Sequence, residues 1–190
     1  MQKIDLTEKH ALSVTWLGLI ANLLMAIAKG FVGIISHSSA LIADAGHSFS
    51  DLLSDMVTLW AVRMAGIPKD DNHPYGHGKF ETVGSFVVAL MLVFTGIGVA
   101  WHVLNKMNSP EVPGTPAIWM AAIAIAVKEA LFHLTRMVSR RSGSRILLAN
   151  AWHHRSDAIS SVAALVGIAG ANWGIPMMDP IAGVLVAGLI

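Results

Sequence analysis

Cysteine is missing from all 190 residues. No disulfide can staple the fold, and no thiolate site of the kind that selects soft metals such as Cu(I) can form. Charge is scarce as well: Asp, Glu, Lys and Arg make up 13% of the chain, against about 25% in ordinary soluble domains. The formal net charge is only +1, and no basic cluster interleaved with aromatics occurs, so no nucleic-acid surface is expected. The opening MQKIDLTEKH is polar and mixed in charge, which is not the pattern of a signal peptide. The first apolar run is therefore expected to stay in the lipid bilayer as a helix. What the chain has instead is grease: 54% hydrophobic residues and a mean hydropathy of +0.61. This is the composition of a membrane protein.

A spanning helix takes about 20 apolar residues. On that measure the sequence predicts an all-α membrane protein, a six-helix transmembrane bundle over residues 1–190. The helices are expected at about 13–35, 40–63, 83–104, 117–138, 146–173 and 180–190. The last run, DPIAGVLVAGLI, is too short to cross, so the sixth helix reads as incomplete and more chain is expected beyond residue 190.

Lys3, Lys9, Arg63, Lys69, Lys79, Arg136, Arg140, Arg141 and Arg145 fall on one side of this topology, and Lys106 alone on the other. The positive-inside rule assigns the basic side, with the N-terminus, to the cytoplasm. The inner (cytoplasmic) membrane is the expected location.

The second predicted helix, ALIADAGHSFSDLLSDMVTLWAVR, carries Asp44, His47, Asp51 and Asp55. At about 100° per residue these four positions share an arc of about 80°. An uncompensated Asp near the centre of a membrane helix costs about 2.5–3.5 kcal/mol, so such a stripe has to face a polar interior. The fifth helix contains ANAWHHRSDAISS, in which His153 and Asp157 are four apart and share a face. Asp51 precedes Arg63 by twelve residues and Asp157 follows Arg145 by twelve, about 18 Å in each case. If those arginines lie level, the two pairs meet near the middle of the membrane.

Two HxxxD pairs on facing helices offer two imidazoles and two carboxylates, a ligand set suited to tetrahedral Zn²⁺. Two carboxylates and one dication also sum to zero, which a low-dielectric site tolerates best. Protonating both histidines would restore neutrality without the metal, and metal binding must displace those protons. A site reached alternately from each side would then exchange one metal for up to two protons. Asp44 and Asp55, nearer the helix ends, either line an access path or pair with a neighbour. In the second connection, PKDDNHPYGHGKFE, the spacing of Asp70, His73 and His77 suits a metal site. The same residues would also serve as a plain charged turn.

ADAGHSFSD, DDNHPYGHGKFE and AWHHRSDAISS resemble the corresponding stretches of the cation diffusion facilitator family of metal/proton antiporters, along essentially the whole chain. The resemblance implies a transport site made of His47, Asp51, His153 and Asp157, and a further zinc site in the loop at Asp70, His73 and His77. It also implies zinc export, sometimes extended to Co²⁺, because histidine stands at the first ligand position. Members with aspartate there tend to be broader and include Fe²⁺. The resemblance also implies a cytoplasmic C-terminal domain that binds metal and holds a homodimer together in the full-length protein, and that domain is expected to lie outside residues 1–190.

Two other classes compete. One is a membrane metal sensor or scaffold with a structural metal. The other is an intramembrane metallohydrolase, which the lack of HExxH and of an open coordination position disfavours. Not an enzyme but a secondary transporter is therefore expected.

Of the remaining polar residues, Lys29 is expected to snorkel outward and Asn22 to bond across helices. Lys128, Glu129 and His133 of the fourth helix are expected to bond within or between helices, with a proton path as the alternative, while Arg155 needs a partner of its own.

Overall fold

The computed structural model describes residues 2–68 and 74–190, with side chains from residue 13 onward. Among these the chain forms six helices and no strand: α1 Gln2–Ile35, α2 Ser39–Ala65, α3 Lys79–Lys106, α4 Thr115–Ser142, α5 Arg145–Asn172 and α6 Met178–Ala187. All six expected elements are present. The largest difference is at the start, where α1 runs eleven residues further towards the N-terminus than the apolar run does. QKIDLTEKHAL has no Pro or Gly, and its Leu, Glu, Lys and Ala favour helix, so polarity there ends the apolar run but not the helix. α6 begins two residues before the expected Pro180, which sits in the first helical turn, where a missing N–H costs nothing.

The turns explain the hairpins. Ser38 caps α2 by accepting the Leu41 N–H at 3.1 Å, and Ser144 does the same for α5 with Leu147 at 3.3 Å. Gly143 closes α4 at φ +67°, a left-handed conformation open to glycine, so a two-residue connection reverses the chain between α4 and α5. The N-terminus of α2 receives a second cap from afar. The Asp179 carboxylate accepts the Ser38 hydroxyl at 2.7 Å and the N–H groups of Ser39 and Ala40 at 2.6 and 3.3 Å. An anion there satisfies orphan donors and the positive end of the helix dipole together.

Packing is inside-out relative to a soluble protein. The buried centre is small-residue rich, with Ala40, Leu41, Ala117, Ala121, Ala124, Ala164 and Ile168, as membrane interfaces need for close approach. Large apolar side chains such as Trp16, Phe31, Phe86, Phe94 and Ile159 point out, and Trp101, Trp119 and Trp173 stand exposed near helix ends. Helix α2 is central, touching α1, α3, α5 and α6. Residues 13–35 of α1, together with α3 and α4, are long and apolar enough to cross a bilayer. Helices α2 and α5 match them in length at 27 and 28 residues, and their acids and bases lower their hydropathy because they carry the polar interior. The molecule is a membrane helical bundle.

Candidate metal centre

The site lies where α2 crosses α5. His47 and Asp51, one turn apart on α2, meet Asp157 of α5, and one ligand atom from each lies within 4.8 Å of the others. His47 Nε2 is 3.8 Å from Asp51 Oδ2, too far for a hydrogen bond. The side chains of His47, Asp51 and Asp157 are 15%, 20% and 3% exposed, so the cluster is enclosed yet reachable. His47 Nδ1 and Asp51 Oδ2 are buried and have no hydrogen-bond partner among the described residues. Buried polar atoms without partners are rare and call for an explanation. A cation among two carboxylates and an imidazole would supply one, because each group offers a hard or borderline donor of the kind Zn²⁺, Co²⁺ and Fe²⁺ accept.

The fourth expected ligand stands slightly apart. His153 Nδ1 is 3.7 Å from Asp157 Oδ1, but its side chain is 41% exposed and lies outside the group that converges within 4.8 Å. Its neighbour His154 is the buried one of the pair. It packs against α1 at Gly18, where an added Cβ would come 3.3 Å from Nε2.

The partner of Lys128 is what spacing alone did not reveal. The lysine Nζ lies 2.5 Å from Asp157 Oδ2 and 2.9 Å from Asn22 Oδ1, buried between α1, α4 and α5. The balance of two carboxylates against one dication omits this third fixed charge. The helix register holds a signal for it. Lys128 is fourteen residues before the end of α4 and Asp157 twelve after the start of α5, so a tight antiparallel hairpin sets them at nearly one depth. The expected cross-helix bond of Asn22 is this contact with Lys128.

Lys29 corrects an expectation. It does not snorkel outward: it is fully buried and pairs with Asp44 at 2.7 Å, donating also to Ser48 at 3.2 Å and Ser161 at 3.0 Å. Lys29 is six residues before the end of α1 and Asp44 five after the start of α2, so the hairpin brings them level. Of the two options for Asp44, the structure places it in a pairing role. Its oxygens also accept the Ser160 and Ser161 hydroxyls at 3.0 and 2.8 Å. Asp55 stands exposed one turn beyond Asp51 on the arginine-bearing side.

Asp70 and His73 lie outside the described residues. His77 is buried and stacks on Phe80 with ring centroids 5.7 Å apart, and Phe80 in turn meets Trp60 of α2 edge-on. Glu129 and His133 pair within α4 at 3.3 Å. Arg155 finds its partners in the faces of Phe132 and Trp152.

A model of the cation efflux transmembrane domain matches residues 15–190. The chain is 42% identical over 191 residues to metal tolerance protein C1 of Arabidopsis thaliana, covering 92% of this chain and 41% of that protein. It is 40% identical over 212 residues to mitochondrial metal transporter 1 of Saccharomyces cerevisiae, covering 98% and 42%. It is 34% identical over 179 residues to magnetosome protein MamB of Magnetospira sp. (strain QH-2), covering 93% and 61%. The chain spans about half the length of the curated relatives it matches.

Proposed function

The chain belongs to the cation efflux family, and from that premise we propose that it moves a divalent metal ion, Zn²⁺ foremost, out of the cytoplasm in exchange for protons. One observation carries the reading: His47, Asp51 and Asp157 converge from two helices on a common point inside a membrane bundle. Asp157 is already offset by Lys128, but Asp51 Oδ2 beside it is buried without a hydrogen-bond partner among the described residues, and a dication would satisfy that group. His153, 3.7 Å from Asp157, is the fourth donor this reading assigns to the set. This donor set favours zinc, with Co²⁺ and Fe²⁺ as further cargo. The printed names of the relatives, a metal tolerance protein and a mitochondrial metal transporter, support metal as the cargo.

A ligand has to lose its proton to take the metal, and an imidazole is a side chain able to carry that proton or release it. Loading therefore releases protons, and a site opened alternately to each side exchanges the two cargoes. The basic ends at Arg63, Arg136, Arg140, Arg141 and Arg145 favour a cytoplasmic N-terminus. Asp70, His73 and His77 remain a candidate second metal site.

Proteoliposomes test the reading. With the protein reconstituted and a pH gradient imposed, Zn²⁺, Co²⁺ and Fe²⁺ uptake is followed for the wild type and for Asp51→Ala. Uptake that needs the proton gradient and vanishes in the variant supports the proposal. Equal uptake by the variant removes Asp51 from the site.

A further inference from the structure

Among the described residues two lysines are buried in this bundle, each against an aspartate, and their surroundings differ. The carboxylate of Asp44 is saturated, because Lys29, Ser160 and Ser161 take both of its oxygens. That pair is closed on itself. Asp157 gives only Oδ2 to Lys128, and its other oxygen faces His153 without a hydrogen bond at 3.7 Å. Asp157 also belongs to the convergent cluster, and Asp44 does not. Lys128 further holds a second anchor, Asn22 on α1, at 2.9 Å. The ammonium therefore has a polar place to rest that is independent of the carboxylate.

We propose that Lys128 is the resident counter-ion of the metal site: it occupies Asp157 when no metal is there, and it sets how tightly a metal is held. The proposal rests on the reading that His47, Asp51 and Asp157 bind the cargo. A dication reaching these residues either takes Asp157 Oδ2 from the ammonium or binds the neighbouring oxygen beside it. Both routes bring two positive centres together in a medium that screens them poorly. Lys128 thus weakens metal binding. With the site empty it keeps Asp157 from standing as a bare anion in the membrane. A transporter needs this compromise, since binding has to be strong enough to load and weak enough to release. Asn22 accepts the ammonium as metal takes its place on the carboxylate. Lys128 is a positioning and affinity-setting residue, and it is not itself a ligand.

The test is equilibrium Zn²⁺ binding to purified protein in lipid nanodiscs, by competition with a chromophoric chelator, alongside the melting temperature of each variant. Lys128→Met is expected to bind Zn²⁺ about tenfold tighter or more, with slower release. Lys128→Arg, which keeps the charge, is expected to bind as the wild type does. Asp51→Ala is expected to lose binding. If Lys128→Met melts like the wild type but binds Zn²⁺ equally or more weakly, while Asp51→Ala loses it, the role of the lysine is overturned and the metal site stands. If Asp51→Ala binds like the wild type, the metal site falls and the lysine's role falls with it. A purely structural lysine would lower the melting temperature of Lys128→Met and leave its affinity alone, which also overturns the proposal. Should Lys128→Met not remain folded, Lys128→Gln, which retains a donor for Asn22, is read in the same assay and is expected to bind more tightly. Unchanged or weaker binding there overturns the proposal equally.

Discussion

Lys29 and Asp44 show what a single buried charge requires of its neighbours. Each is fully buried, and together with Ser48, Ser160 and Ser161 they join α1, α2 and α5. Removing one partner of such a pair leaves an uncompensated charge, which typically costs 3–5 kcal/mol, about the range expected for Lys29→Met. Thermal unfolding in detergent should show a large drop for that variant, and adding Asp44→Asn should recover much of it. A single-variant melting curve equal to the wild type would contradict the pairing. At the candidate metal cluster a second substitution reads chemistry and not stability. His47→Asp exchanges an imidazole for an oxygen donor and is expected to widen the range of metals transported towards Fe²⁺, measured as relative uptake of Zn²⁺ and Fe²⁺ into vesicles. Most of these residues were legible from spacing: the stripe on α2 and the HxxxD pair on α5 require only a helical period. The two lysines were not, because their partners lie on other helices, and depth across a hairpin has to be counted from a turn whose length the apolar pattern does not fix.

At the scale of the helix, close approach is what packs α6 against α5 and α3 against α2. A Cβ added at Gly167 of α5 would overlap that of Ala182 in α6, and one at Gly84 of α3 would overlap that of Ala61 in α2. Gly167→Val therefore has to push α6 away, at a cost of about 1–3 kcal/mol, read as a lower melting temperature. An unchanged melting temperature would mean that the α5–α6 contact is not tight. The cap that α6 gives to α2 is a separate device. Asp179→Asn removes the charge at the α2 N-terminus and is expected to cost about 0.5–2 kcal/mol without touching the metal cluster. Its Zn²⁺ affinity should thus equal that of the wild type. Helix number and order were readable from apolar runs, whereas the start of α1 was not. Lipid-facing hydropathy reports where a helix meets the bilayer, and the N-terminal part of α1 continues beyond that point through a stretch of good helix formers.

For the whole molecule, the central claim is that a membrane bundle of small-residue contacts brings His47, Asp51 and Asp157 together between α2 and α5 as the proposed resting place of a divalent cation. The most direct measurement is the anomalous diffraction of zinc in crystals grown with Zn²⁺. One peak within about 2.0–2.2 Å of ligand atoms of His47, Asp51 and Asp157, absent from Asp51→Ala crystals, is the predicted result. A wild-type map with no peak there, or one in which His47 and Asp51 face lipid, would contradict it.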